Sequence, residues 1–254
     1  LVVNKVSEGA LEFAYQGPLL ELVGESALVA ISGKVNFNII SKNGRTRQGT
    51  SNESFLVSNG DKIDILSTIN SVYGYLSISG GFKLKEIRGS VSTLVRAKIG
   101  PNNGDKLKSD DKIFFNNFNA EDKLKKIQFD FDKDNTIRVM KGLQIDYFSK
   151  KSQEDFFSME YKISRLTDRM GMRLEGVKLE NTVNKNIKSE GITKGSIQIP
   201  GDGQPIVLLS DHPTIGGYPK IANVISADYD KLIQKTPGTK IKFKLVDLSV
   251  AESA

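Results

Sequence analysis

The six residues Lys-Ile-Lys-Phe-Lys-Leu at 240–245 limit the fold more sharply than any other stretch of the chain. On an extended backbone Ile241, Phe243 and Leu245 fall on one side and Lys240, Lys242 and Lys244 on the other, because successive strand side chains point to opposite faces. A helix would scatter the three apolar residues around its circumference. The pattern therefore requires a half-buried strand, a neighbouring strand to satisfy its backbone, and a core to cover one face.

The same period recurs from the start of the chain. Leu11, Phe13 and Tyr15 alternate with Glu12 and Ala14, Gln16-Gly17-Pro18 turns the backbone, and residues 19–23 and 27–31 resume the pattern. Lys42-Asn43-Gly44-Arg45 reads as a hairpin turn in which Asn-Gly supplies the positive φ angles of a primed turn. Residues 55–57 lead to Asn59-Gly60-Asp61, and 62–69 follow with Ile63 and Ile65 on one face. Residues 72–79 are a further strand candidate, ended by Gly80-Gly81. The polar loop 88–93 can present amides and hydroxyls, although a plain connection between strands is the favoured reading. Residues 102–120 are polar and Asn-rich and read as a surface excursion.

Strand candidates resume at 127–131 and 136–139, which places a boundary near 132–135 and two β modules at 1–132 and 133–254. In the second module 156–163 is mixed, and residues 228–234 are the best helix candidate, followed by Pro237-Gly238. A faint repeat joins the halves: Gly60-Asp61-Lys62-Ile63 and Gly238-Thr239-Lys240-Ile241 each lead into an alternating strand.

Charge narrows the function classes. There are 36 Lys+Arg against 30 Asp+Glu, a formal charge of +6. The densest basic region holds Lys106, Lys108, Lys112, Lys123, Lys125 and Lys126, interspersed with Asp105, Asp110, Asp111, Glu121 and Asp122. That mixture is a solvated surface rather than a track for phosphates, and no aromatic-rich basic stripe accompanies it, so nucleic acid is not an expected partner. The chain has no cysteine, which excludes disulfides, thiolate catalysis and Cys-ligated zinc and fits a reducing cytoplasm. No apolar run approaches the ~18 residues that span a bilayer, and residues 1–10 lack a signal peptide's apolar core; a soluble protein without a membrane partner is expected.

One stretch is shaped for more than packing. Residues 195–222, GSIQIPGDGQPIVLLSDHPTIGGYPKIA, concentrate turn formers, two carboxylates and the single histidine between apolar strand candidates. Residues 196–199 and 206–209 read as strands joined by Pro200-Gly201-Asp202-Gly203-Gln204-Pro205, either a plain hairpin or a functional turn. Asp211 and Thr214 can orient a water or polar substrate, and Gly216-Gly217 lets backbone N–H groups approach a ligand closely. His212 stands alone, so a multi-histidine metal site is impossible and no metal is expected. Upstream, residues 164–176 carry Arg165, Arg169 and Arg173 beside Asp168 and Glu175; they can bind an anion or pair with one another, and the ion-pair reading is slightly favoured. No Walker-type loop, Gly-x-Gly-x-x-Gly fingerprint or Gly-x-Ser-x-Gly elbow is present.

The run GSIQIPGDGQPIVLLSDHPTIGGYPKIANVISADYDKL, with DRMGMRLEG upstream and GYLSISGGF and RGSVST in the first half, closely resembles the biotin-dependent carboxyltransferase-like family. That family includes the C subunit of bacterial 5-oxoprolinase, allophanate hydrolase subunit 2 and the second part of the urea carboxylase carboxyltransferase domain. The resemblance covers nearly the whole chain and implies a mainly β fold of two cyclophilin-like β-barrel modules with few short helices. Two departures stand out. Family members usually begin with a further segment carrying a Thr-Val-Gln-Asp-type motif, so the N-terminal part of the first module is expected to be missing. They also often place a glutamine where this chain has Pro213.

The resemblance implies a protein that works with the 5-oxoprolinase subunits A and B and ATP to open 5-oxoproline to glutamate, active only in the complex. The alternatives are a biotin-dependent carboxyltransferase acting on urea or a related amide, or a non-enzymatic antagonist of a kinase inhibitor. No Met-Lys-Met biotinyl motif or biotin carboxylase segment is present, which favours the free-standing subunit. Biotin is expected only under the carboxyltransferase reading. On these grounds Asp211 and Thr214 are the catalytic candidates, and Asp202, Gln204, Gly216, Gly217, Tyr218, Arg169 and Arg173 the candidates for binding a small amide.

Overall fold

A computed structural model describes residues 1–2, 9–116, 124–128, 134–183 and 186–253. Within it the chain divides into two compact units, Leu1–Asp130 and Phe131–Ala254. Residues 132 and 133 of the expected boundary and most of the strand expected at 127–131 lie outside the described residues, as do Glu121, Asp122 and Lys123 of the mixed-charge region. Residues 136–139 and 240–245 do form strands.

The first unit contains β1 (Leu11–Ala14), β2 (Leu19–Glu21), β3 (Ala27–Ser32), β4 (Val35–Ile40), β5 (Thr46–Gln48), β6 (Ser54–Val57), β7 (Lys62–Thr68) and β8 (Tyr73–Ile78). They form two four-stranded antiparallel sheets, ordered β1-β8-β3-β6 and β2-β7-β4-β5. Alternation decides what is inside. In β4 Val35, Phe37 and Ile39 are buried while Asn36, Asn38 and Ile40 are not, and Ile31, Ile65 and Val57 join them in one apolar cluster. Close packing reaches the backbone at Gly49, where a Cβ would sit 2.0 Å from the Phe37 ring. The free edge of β6 is used by residues 125–127: Ser54 N–H donates to the Lys125 carbonyl and Ile127 N–H to that of Asn52.

The hairpin at Asn43-Gly44 forms, but not as a primed turn. Only Gly44 has positive φ (84°); Gly44 N–H donates to the Ser41 carbonyl and Ser41 N–H to that of Arg45. Asn43 instead spends its side chain on Arg45 N–H, and the loop is one residue longer than a two-residue turn. The two adjacent positive φ angles of a primed turn occur at Arg88-Gly89, where Ile87 and Ser90 exchange backbone hydrogen bonds.

The second unit contains β9 (Thr136–Lys141), α1 (Lys150–Ser158), β10 (Glu160–Ile163), β11 (Gly171–Glu175), β12 (Glu190–Gly191), β13 (Ser196–Gln198), β14 (Ile206–Leu208), β15 (Ile215–Gly216), β16 (Lys220–Val224), α2 (Ser226–Ile233), β17 (Lys240–Leu245) and α3 (Leu248–Glu252). Seven strands close into a barrel in the order β10-β11-β14-β13-β16-β9-β17, the join between β9 and β17 being parallel. β12 and β15 pair only with each other. Ile137, Tyr161, Ile163, Met172, Ile197, Ile221 and Phe243 fill the interior. α1 contributes Phe156, stacked on Phe243 with centroids 4.7 Å apart. This helix lies where the sequence is mixed: it buries only Ser152 and Phe156, so it has no apolar stripe to read, and Ser149 caps it by accepting from Ser152 N–H. The predicted helix at 228–234 is α2, starting two residues earlier.

Candidate functional site

The 195–222 stretch supplies β13, β14 and the start of β16 to the barrel wall and reaches both of its ends. β13 and β14 do form a hairpin, with Ile197 opposite Val207 and Gln198 opposite Ile206. Its turn is held by its own side chains. Gly203 (φ 76°) donates to the Pro200 carbonyl, and Asp202 accepts from Gln204 N–H. The Gln204 carboxamide accepts from Gly176 N–H at 2.9 Å and donates to the Gly176 carbonyl at 3.1 Å, standing in for a strand neighbour. Asp202 and Gln204 are thus both engaged in building the turn.

Beyond β14 the backbone continues its pairing with the residues before β11. Asp211 N–H donates to the Arg169 carbonyl, and the Arg169 guanidinium grips both Asp211 carboxylate oxygens, at 3.0 and 3.1 Å. Arg169 does form an ion pair, but with Asp211 rather than with Asp168 or Glu175 of its own stretch, and it occupies the carboxylate expected to act on substrate. Nearby, the Lys194 ammonium sits 4.3 Å from the centroid of the Tyr229 ring, and the Tyr229 hydroxyl lies 3.4 Å from that of Ser210. Burial pushes the Tyr229 phenol up. Asp168 caps the turn into β11 through Met170 and Gly171 N–H, whereas Arg173 is exposed on β11. Thr214 is exposed on the loop after Asp211, and His212 Nδ1 lies 2.6 Å from the carbonyl of Pro213.

The chain then returns towards the other barrel end through β15. Asp211 lies five residues past Ile206, which neighbours Gln198 and through it Lys220, so at ~3.3 Å per residue the two ends of this return are about 15 Å apart. Asp211 and Tyr218 are therefore not neighbours. The Gly-Gly pair serves close approach to its own chain: a Cβ on Gly216 would lie 2.6 Å from Gln198 Nε2, and one on Gly217 3.3 Å from the Ile187 carbonyl oxygen. Tyr218 is partly exposed, its carbonyl meeting Gln198 Nε2 at 3.5 Å.

At this second end lies a cluster that the sequence reading missed. Ile197 and Ile199 point into the barrel, so Ser196 and Gln198 face outward. Between Ile197 and Gln198 the register with β16 slips by one residue, leaving Ile221 unopposed and bringing Lys220 opposite Gln198. Such a bulge re-aims a side chain; in unbroken register Lys220 would share the face of Ala222, inside the core. The outward face of β13 and β16 consequently carries Ser196, Gln198 and Lys220, all buried, beneath the β12–β15 ribbon.

The Lys220 side chain is only 5% exposed and pairs with Glu190 Oε1, whose side chain is 37% exposed. Gln144, beyond the end of β9, donates to the same Glu190 oxygen at 2.9 Å and accepts from Lys220 N–H at 3.2 Å. The Lys220 hydrogen bond, helped by Gln144 and opposed by burial, holds the Glu190 carboxyl below its ordinary value. Two donors thus converge on one oxygen, Oε1. The arrangement presents a buried ammonium, a carboxylate able to swing away from it, and a buried carboxamide beside them: equipment for recognising a small polar molecule that bears an anionic group. The only hint in the sequence is a lysine directly ahead of the apolar Ile-Ala-Asn-Val run; nothing local links it to Gln144 or Glu190.

An open groove of about 440 Å³ near Met159, Glu160, Lys162, Glu175 and Lys240 is the alternative location, but its Lys240–Glu160 pair is well exposed. Among the described residues no group of three His, Cys, Asp or Glu side chains could hold a metal ion, and no helix is long and apolar enough to cross a membrane.

Comparison with known proteins places the chain among relatives. It is 38% identical over 183 residues to the 5-oxoprolinase C subunit of Haemophilus influenzae, covering 71% of this chain and 58% of the relative. With the Escherichia coli protein of the same name the identity is 32% over 199 residues, 77% of this chain and 63% of the relative. The chain thus spans about six tenths of the length of these curated relatives. The crystal structure of the K. lactis urea amidolyase superposes with a TM-score of 0.84 at 28% identity, over 96% of this chain and 16% of that one. The carboxyltransferase domain, subdomain A and B, matches residues 1–245, and the chain belongs to that family.

Proposed function

We propose that this chain acts as the C subunit of an ATP-dependent 5-oxoprolinase, contributing to the opening of 5-oxoproline to glutamate together with A and B subunits. The observation that carries this reading is the 38% identity to a 5-oxoprolinase C subunit. A lactam is stabilised by amide resonance and resists water, and ATP would supply the activation that makes its carbonyl carbon electrophilic. Gly216 and Gly217 do not form a phosphate cradle: the space over them is filled by Gln198, Ile192, Ile187 and Ser189 of the same chain. Nucleotide contacts are accordingly assigned to the assembled complex. This chain's part is to hold and orient the small amide, at the buried polar face under the β12–β15 ribbon. Asp211 orders the 210–214 loop through Arg169, and Thr214 is the exposed hydroxyl on that loop left to meet substrate or a partner protein. An ATP-consuming complex containing a cysteine-free chain is placed in the cytoplasm.

A second reading, carboxyl transfer from carboxybiotin to urea or a related amide, draws on the superposition with urea amidolyase over 96% of this chain. To separate the two, the full-length protein is mixed with A and B subunits, ATP and 5-oxoproline. Glutamate release that requires this chain supports the first reading. No release, combined with carboxybiotin-dependent carboxylation of an amide, overturns it in favour of the second.

A further inference from the structure

Gln198 is a buried side chain with few hydrogen bonds. It is 5% exposed, its Nε2 has one long contact at 3.5 Å to the Tyr218 carbonyl, and no described residue donates to its Oε1. Neighbouring polar groups on the same face are well bonded: the Ser196 hydroxyl donates to Asn223 at 2.8 Å and meets Thr193 at 3.2 Å. A buried carboxamide with so few partners has hydrogen-bonding capacity left for a ligand. Directly across the strand pair stands Lys220, brought there by the bulge. Its ammonium is satisfied by a carboxylate from the ribbon rather than from the barrel.

We propose that Gln198 and Lys220 form a recognition site for a small cyclic amide bearing a carboxylate, on the outer face of β13 and β16. The Glu190 carboxylate fills the anion position until the ligand arrives. A ring amide is locked cis, so its N–H and C=O share one edge. The primary carboxamide of Gln198 presents the complementary edge: Oε1 accepts the ring N–H and Nε2 donates to the ring carbonyl, giving two parallel hydrogen bonds. An open-chain trans amide cannot make both. In 5-oxoproline the carboxylate sits on the carbon next to the ring nitrogen, a spacing that suits cross-strand neighbours whose Cβ atoms are about 5 Å apart. The Lys220 ammonium then exchanges one carboxylate for another, so no charge is left unpaired in the buried position. Glu190 is suited to leaving because its side chain is partly in water and belongs to a two-residue strand paired only with β15. At Gly216 a Cβ would stand 2.6 Å from Gln198 Nε2, so a larger residue there would displace the carboxamide.

The choice of 5-oxoproline rests on the 5-oxoprolinase reading; the pairing of a cis amide with Gln198 does not. The test measures binding to the full-length protein by calorimetry, using 5-oxoproline, 2-pyrrolidinone and cyclopentanecarboxylate as probes, with Gln198→Leu, Lys220→Met and the charge-conserving Lys220→Arg. The loss of one buried, charge-assisted or paired contact corresponds to about 10- to 100-fold in affinity. Gln198→Leu is expected to weaken 5-oxoproline and 2-pyrrolidinone by that factor and to leave cyclopentanecarboxylate unchanged. Lys220→Met is expected to weaken both carboxylates and spare 2-pyrrolidinone, with partial recovery in Lys220→Arg. Circular dichroism and thermal midpoints establish that each variant is folded.

Undiminished binding by a folded Gln198→Leu protein overturns the site, as does a wild-type protein that binds none of the probes. In the reconstituted complex, glutamate release whose KM for 5-oxoproline is unaffected by Gln198→Leu removes the site while leaving the enzyme reading intact. Gln198-dependent binding of 2-pyrrolidinone without any glutamate release does the opposite.

Discussion

Among the described residues of the first unit the buried polar side chains are Ser54, Ser71 and Ser79; the second unit buries Gln144, Gln198, Lys220 and Asp228 besides its serines. A buried hydroxyl is a small group that a single neighbour can satisfy, as Lys125 does for Ser54 across the β6 edge. A buried ammonium, carboxylate or carboxamide needs several partners in fixed places and costs far more when one is lost. The first unit is therefore organised by apolar packing around Phe37 and Ile31, and the second by an apolar barrel that also carries a polar outer face. The difference supports, without reference to any motif, the site proposed in the second unit.

Five substitutions can break or sharpen this contrast. Phe37→Ala removes a fully buried ring from the first unit and is expected to cost about 4 kcal/mol, read from urea denaturation. Amide exchange should show the loss confined to residues of that unit.

Asp228→Ala acts on the second unit and is expected to cost about 3 kcal/mol, because it strips Arg138 of a carboxylate that accepts from both its guanidinium and its backbone N–H. Burial pushes the Asp228 carboxyl up, but the Arg138 hydrogen bonds and charge outweigh it and leave it below its ordinary value. A carboxyl lowered on folding stabilises at neutral pH, and that contribution disappears as pH falls below the ordinary carboxylate range through the folded value. The second unit should therefore lose stability on acidification more steeply in the wild type than in Asp228→Ala, as followed by denaturation between neutral and acid pH.

Glu190→Ala leaves the Lys220 ammonium buried without its carboxylate and is expected to cost about 1–2 kcal/mol, water replacing part of the lost interaction. Lys220→Met, which leaves the half-exposed Glu190 free to turn to solvent, should cost less. Equal losses in the two variants would mean that the pair is an ordinary structural bridge.

The smallest effect is expected at Tyr161, whose hydroxyl is buried in the barrel with no hydrogen-bond partner. Burial, with a smaller push from Asp155, drives its phenol far up. Tyr161→Phe should be neutral or stabilise by up to about 1 kcal/mol in thermal unfolding. A clear loss would reveal a partner for the hydroxyl and narrow the contrast between the units.

Much of the local structure was legible because it depends on near neighbours. Alternation at Ile63-Asp64-Ile65 and at Ile241-Lys242-Phe243 marks strands, and Gly60 and Gly238, both at positive φ, mark the turns that precede them. The repeat joining these turns extends to the strands β7 and β17 but not to their partners, since β7 is antiparallel to both neighbours while β17 is parallel to β9. α1 escaped because its only large buried residue is Phe156, and one residue has no period. The candidate site was legible as a stretch and not as a constellation: residues 195–222 did supply Gln198 and Lys220, but Asp211, Asp202 and the paired glycines carry the more conspicuous chemistry. Asp211 is tied to Arg169, 42 residues earlier, and Asp202 to its own turn.

By itself the sequence determined that this chain is built of short strands, that it has no thiol chemistry, and, through its resemblance, to which family it belongs. Those properties follow from side-chain period and composition, which are local or global averages. Tertiary structure alone decided that seven strands close into a barrel, that a one-residue slip turns Lys220 outward, and that Gln144 and Glu190 reach it from 76 and 30 residues away. A buried charge takes its meaning from the groups around it, and those are set by strand register and chain closure, which no window along the sequence contains.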